Sequence, residues 1–112
     1  MNQQNQSISI DGLSVSVKSL IISDMNVLQV TAGTNGYQGG DSGHGGRTIL
    51  KIEDLASTDL RVKVKERSRG TASELIEADS VEIVLGGDAE LDTFIRALEF
   101  AVQTLKEQTK EG

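Results

Sequence analysis

The side chains able to do chemistry gather in one stretch, Gly33 to Gly46, which reads GTNGYQGGDSGHGG and runs straight into Arg47 and Thr48. Seven of its fourteen residues are glycine, and between them stand Asn35, Tyr37, Asp41, Ser42 and the only histidine of the chain, His44. Glycine permits positive φ and close approach to the main chain. The stretch therefore offers backbone N–H groups, hydroxyls, one ring and a cation at its exit. That set suits an anionic, nucleotide-like ligand, because successive N–H groups form concavities that hold anions. The plainer alternative is a surface loop with no ligand at all.

Catalytic readings of the same residues are weaker. Gly40-Asp41-Ser42-Gly43 matches the string around the nucleophile of chymotrypsin-like proteases. A triad, however, needs a histidine held apart by its own carboxylate, and His44 lies two residues from Ser42 in one loop. Asp41-Ser42-Gly43 also resembles the retroviral-type aspartic proteases, dimers in which two aspartates share a proton. Their aspartate follows an apolar strand, whereas Asp41 follows Gln38-Gly39-Gly40. A phosphate-binding P-loop would read G-x-x-x-x-G-K-[ST] and open a helix. Here Asp41 replaces the first glycine, Arg47 replaces the lysine and a strand pattern follows. One histidine with scattered carboxylates has no metal-ligand spacing. No enzyme activity, cofactor or metal is expected.

Composition narrows the field further. A chain of 112 residues is expected to form one domain, residues 7–110, behind a flexible polar start, residues 1–6. The net charge of −6 excludes a broad basic face for duplex nucleic acid. No apolar run approaches the roughly 20 residues of a membrane span, and the start has no secretory pattern. With no cysteine the chain fits a reducing cytoplasm. Two Phe and no Trp leave a thin core of Val, Ile and Leu, so burial against further subunits is expected.

The elements that must position the loop follow from periodicity. Ile8 to Val17 alternates, broken at Asp11-Gly12, as a bent strand or hairpin arm. Strands are expected at Met25 to Thr31, Thr48 to Glu53, Asp59 to Arg67 and Ser80 to Leu85. Asp54 to Thr58 reads as a turn or a single helical turn, and Ser68 to Asp79 as a connection with a helical turn at Ser73 to Glu77. Arg61, Lys63, Lys65, Arg67 and Arg69 give the fourth strand and its turn a basic outer face. From Ala89 to Lys110, Leu91, Phe94, Ile95, Leu98, Ala101, Val102 and Leu105 recur at three and four, one apolar helical stripe, with Asp88 as the N-cap. The fold class is α+β: an antiparallel sheet packed against one long C-terminal helix, which should cover one face of it. Phe100 breaks the helix pattern on the polar side near Arg96, and a second subunit, a ligand base or simple exposure would each account for it.

The run Thr34 to Thr48 (TNGYQGGDSGHGGRT), with Asp54 to Asp59 (DLASTD) and Gly86 to Leu91 (GGDAEL) opening a helix, resembles the phage-encoded Thoeris anti-defence sponges of the first described type. The resemblance spans about residues 26 to 106. It implies a small oligomeric protein, a dimer or a hexamer built from dimers, in the host bacterial cytosol. Such a protein sequesters cyclic nucleotide immune signals without cleaving them. The ligands of the family include cyclic ADP-ribose isomers and, in some members, the cyclic di- and trinucleotides of cGAS-like (CBASS) systems. Matched to that pattern, Asn35, Ser42, Gly43, His44, Gly45, Arg47 and Thr48 are the expected ligand-binding residues, and Tyr37 or Phe100 is expected to stack a base. Arg96 and Phe100 form a second candidate group. Ser68 to Asp79 does not match the family. The alternative is an oligomeric structural or adaptor protein of a phage or mobile element.

Overall fold

The computed structural model describes residues 3–68 and 74–110. Five strands form an antiparallel meander in the order β1 (Gln3–Ile10), β2 (Leu13–Ser23), β3 (Val27–Thr34), β4 (Arg47–Ala56) and β7 (Ser80–Gly86). Between β4 and β7 the chain makes a separate two-stranded ribbon, β5 (Arg61–Val62) with β6 (Ile76–Glu77). The helix α1 (Asp88–Gln108) follows. The architecture is α+β, as the periodicity indicates.

Asp11 and Gly12 close the first hairpin with φ of 53° and 79°, the two positive angles of a type I′ turn that suits strand twist. This resolves the bent-strand alternative: β1 and β2 are separate, paired strands. Pairing also begins earlier than the polarity of the start suggests, since Gln3 to Gln6 sit opposite Leu20 to Val17. Backbone pairing needs no apolar side chain, so a polar edge strand leaves little trace in hydropathy.

Three further expectations change. Asp54 to Ala56 continue β4 instead of turning, because β3 extends alongside them past a bulge between Val27 and Leu28. The alternating run Asp59 to Arg67 is a strand only at Arg61–Val62, for the ribbon partner is itself two residues long, and Val64 is exposed. The helical turn expected at Ser73 to Glu77 is replaced by extended residues at Ile76–Glu77; Ser73, like Arg69, lies outside the described residues.

Register assigns the sheet's faces. Val15, Val17 and Ile49 are buried on one face, with Ile8 and Ile10 packed against them. The other face is apolar as well. Leu20, Val30, Ile52 and Val81 form one row across four strands, and Ala32, Leu50 and Ile83 form the next. None of these seven is fully buried.

The helix does not lie across that face. It meets the sheet through its first turns, where Leu85 lines a groove with Ala89, Thr93, Phe94 and Ala97. Leu91 is its only buried residue. Farther along, Ile95, Leu98, Val102 and Leu105 are exposed. The radius of gyration is 15.8 Å, against about 13 Å for a compact domain of this length. The accessible surface is 8422 Å², whereas a compact monomer of this mass shows about 6,000 Å².

Candidate functional site

The glycine loop folds back on the start of the helix, and its amides already hold anions: the protein's own carboxylates. Asp88 accepts the backbone N–H groups of Gln38 (3.0 Å), Gly39 (2.7 Å) and Gly46 (3.0 Å). Glu90 accepts that of Ser42 at 3.0 Å. In the reverse direction, Asp41 of the loop accepts the N–H of Ala89 at 2.9 Å, capping the helix from outside its own sequence. Hydrogen bonds from Gln38, then Gly46, with lesser ones from Gly39 and Gly40, stabilise the ionised Asp88 and hold its pKa below the ordinary carboxylate value, against a smaller opposing effect of desolvation.

Asp88 is therefore not the N-cap. Gly87 occupies that position with φ 136° and ψ 153°, while the Asp88 side chain reaches across to the loop. A Cβ on Gly87 would collide with the Glu90 carboxylate, whose Oε1 is buried without a hydrogen-bond partner among the described residues.

Arg47 ties the loop's exit. Its Nε donates to Asp11 at 2.8 Å, Nη1 to the carbonyls of Gly45 (3.0 Å) and Gly46 (3.3 Å), and Nη2 to that of Gly43 (3.0 Å). The side chain is only 12% exposed. The guanidinium that the sequence offers to a phosphate is thus occupied by three loop carbonyls and one carboxylate. Asn35 closes the loop's base: its Oδ1 accepts the Arg47 N–H at 2.7 Å, and its own N–H donates to the Arg47 carbonyl at 3.2 Å. Thr48 is buried and donates to the Thr34 hydroxyl at 3.0 Å. Gly43 donates its N–H to the Gly86 carbonyl at 2.8 Å. Gly45 sits so close to the Gly40 carbonyl that a Cβ would meet it at 2.4 Å.

Tyr37 and His44 have exposed side chains, as does Ser42, which adopts φ 52°. The Tyr37 hydroxyl donates to Asp92. That hydrogen bond, with smaller contributions from desolvation and from the charges of Asp92 and Asp88, raises the phenol's pKa above its ordinary value.

The link from Tyr37 to Asp92 joins the two groups of candidate residues. Asp92, Arg96 and Phe100 succeed one another at four-residue spacing and so share one side of the helix. Tyr37 (63% exposed) stands at one end of this ridge, Phe100 (73% exposed) at the other. At 1.5 Å per residue, Asp92 and Phe100 are about 12 Å apart along the axis, with Arg96 midway. Arg96 makes no ion pair or side-chain hydrogen bond among the described residues. The apolar stripe of Leu98, Val102 and Leu105 faces nearly the opposite way.

The structure therefore separates the sequence's candidates. Asn35, Gly43, Gly45, Arg47 and Thr48 build the loop. Tyr37, Arg96 and Phe100 line an outer ridge. Ser42 and His44 sit at the loop's surface. Sequence reasoning missed Asp88, Glu90 and Asp11 as the loop's partners and Asp92 as that of Tyr37. Asp88 and Glu90 stand in the first turn of the helix, where acidic residues complement the helix dipole and so give no sign of a loop partner. Among the described residues no three His, Cys, Asp or Glu side chains are placed to hold a metal ion, and no helix is long and apolar enough to cross a membrane. Comparison with protein-family models, with curated proteins and with solved structures finds no match to this chain.

Proposed function

We propose that this chain is a homo-oligomeric sponge, acting in the bacterial cytosol, that captures a cyclic nucleotide immune signal and releases it uncleaved. The observation that carries the reading is the ridge of Tyr37, Arg96 and Phe100. It sets an unpaired guanidinium between two exposed rings, the groups that recognise phosphate and stack bases. Asp92 and Glu99 flank the cation, so a ligand that also brings hydroxyl donors, as a ribose does, suits the ridge better than bare phosphate. The sequence resemblance points to the same ligand class, with cyclic ADP-ribose isomers first and cyclic di- or trinucleotides second.

Association of copies is the other half of the reading. The excess surface is about 2,400 Å², several times the ~800 Å² per partner of a standard interface. Exposed apolar residues that a further copy could cover include Ile83 on the sheet and Leu98, Val102 and Leu105 on the helix stripe.

A specific observation favours the second reading, a structural or adaptor oligomer: the loop's amides and Arg47 are committed within the chain, as a scaffold loop requires. A thermal-shift panel of cyclic ADP-ribose isomers and cyclic di- and trinucleotides separates the two, with recovered ligand checked by chromatography. Stabilisation by one compound, recovered intact, is the expected outcome, since a ligand that binds only the folded state raises stability by mass action. No shift across the panel would favour the scaffold, and degraded ligand would make the protein an enzyme.

A further inference from the structure

The outer edge of the sheet is built to meet a copy of itself. β1, Gln3–Ile10, is an edge strand paired on one side only. Its sequence, QQNQSISI, holds no charged residue and no proline. Sheet edges in isolated proteins are guarded by lysine, proline, bulges or covering segments. β1 pairs with β2 in continuous register from Gln3 to Ile10, without a bulge.

The hairpin turn fixes which backbone groups are open. In a type I′ turn closed by Asp11 and Gly12, the Ile10 carbonyl accepts from the Leu13 N–H. Hydrogen-bonded and non-hydrogen-bonded pairs alternate from there. Ile10, Ile8, Gln6 and Gln4 therefore bond to β2, while Ser9, Ser7, Asn5 and Gln3 direct both N–H and C=O away from the sheet.

We propose that β1 pairs antiparallel with β1 of a second copy about a two-fold axis at Gln6. In that register Gln3 faces Ser9 of the second copy and Asn5 faces its Ser7. All four outward residues then become hydrogen-bonded pairs, and every open N–H and C=O finds a partner. Side chains across the hydrogen-bonded pairs are amides and hydroxyls, which hydrogen-bond one another; between them Gln6 faces Gln6 and Gln4 faces Ile8. The charge pattern selects a second copy as the occupant. Each chain carries −6, and this strand lets two of them meet with no like charges opposed. The other edge strand, β7, carries Glu82 and runs into the helix. The seam leaves the apolar helix stripe free, so it adds to the homo-oligomeric reading and does not depend on the ligand.

Single cysteines test the register, for the natural chain has none. The axis places Gln6 directly opposite Gln6 of the second copy as a non-hydrogen-bonded pair. The Cα separation there is about 4.5 Å, within disulfide reach. Ser9 lies about 20 Å from its counterpart, at roughly 3.4 Å per residue. Under mild oxidation Gln6→Cys is expected to give a disulfide-linked dimer on a non-reducing gel and Ser9→Cys to stay monomeric. Absence of cross-linking in Gln6→Cys, or equal cross-linking in both, overturns the proposal. A second arm uses Ser7→Pro, which removes one outward N–H and leaves the β2 ladder intact. Light scattering should show the particle mass halved at unchanged circular dichroism; an unchanged mass overturns the seam. The thermal-shift panel run on Ser7→Pro keeps the ligand question separate, because the Tyr37–Arg96–Phe100 ridge is untouched.

Discussion

The Oδ1 of Asp88 accepts the backbone N–H of Gly46 at 3.0 Å, joining the first residue of the helix to the last glycine of the loop across 42 positions of sequence. With its bonds to Gln38 and Gly39, this carboxylate does inside the protein what a bound anion does in a phosphate loop. Asp88→Ala should free the segment while leaving the sheet intact. The amides of Gln38, Gly39 and Gly46 are expected to exchange at least about tenfold faster by hydrogen–deuterium exchange, a factor that corresponds to one modest hydrogen bond, with those of β2 and β3 unchanged. Equal protection in wild type and variant would show that the loop holds itself.

The pH response of this contact has two ends. Asp88 titrates below its unfolded value, so its contribution is complete above about pH 4 and is lost as pH falls through the lower folded value. Tyr37 titrates above its unfolded value, so the bond to Asp92 is complete below about pH 10 and is lost as pH rises through the higher folded value. Amide shifts of Gln38 and Gly39 should stay flat between those limits. A transition near neutrality at these amides would contradict the assignment.

Arg47 is expected to act through stability. Arg47→Ala strands the carbonyls of Gly43, Gly45 and Gly46 and should cost about 2 kcal/mol in denaturant unfolding. Arg47→Lys should recover only part of that, because one ammonium cannot reproduce the planar fork. Asp11→Asn keeps the side chain that a positive φ tolerates and removes only an exposed partner, so it should cost under about 1 kcal/mol. A larger loss from Asp11→Asn than from Arg47→Ala would invert the hierarchy.

Two glycines should differ in kind. A Cβ on Gly46 would stand 1.9 Å from the Gly36 carbonyl oxygen, and no rotamer relieves a clash between backbones. Gly46→Ala should therefore cost more than about 3 kcal/mol. Gly39 has open space around it and φ 85°, so Gly39→Ala meets only the left-handed penalty, roughly 1–2 kcal/mol. Thermal melts of both variants check the order.

The ridge and the stripe should separate ligand from assembly. Arg96→Ala and Phe100→Ala are expected to abolish stabilisation by the bound nucleotide at unchanged particle mass. Leu98→Asp with Val102→Asp should lower the mass. Arg47→Ala is the poorer probe of binding, since it loosens the loop as well. Retained binding in both ridge variants would return the site to the loop surface at Ser42 and His44.

How much of this was legible in sequence follows from the range of each interaction. The helix, the Asp11-Gly12 break and the strands around Val30, Ile49 and Ile83 announce themselves through local periodicity and turn chemistry. The polar half of β1 does not, because its pairing is carried by main chain. The site divides the same way. The glycine content of the loop was plain, and so was the misplaced Phe100. That Asp88, Glu90 and Asp11 occupy the loop's donors, and that Asp92 ties Tyr37 to the line of Arg96 and Phe100, depends on approaches across 36 to 55 positions. Residue type at those positions gives no hint of them.

Leu91 is the only buried residue of a helix 21 residues long, and this couples order to abundance. Isolated helices much shorter than about 15 residues are marginal in water, so the outer half of this one gains persistence only when another surface covers it. Covering by a second molecule is bimolecular. The ellipticity at 222 nm should then climb as the protein is concentrated and sag on dilution, making helicity itself a gauge of how much of the protein the cell has made.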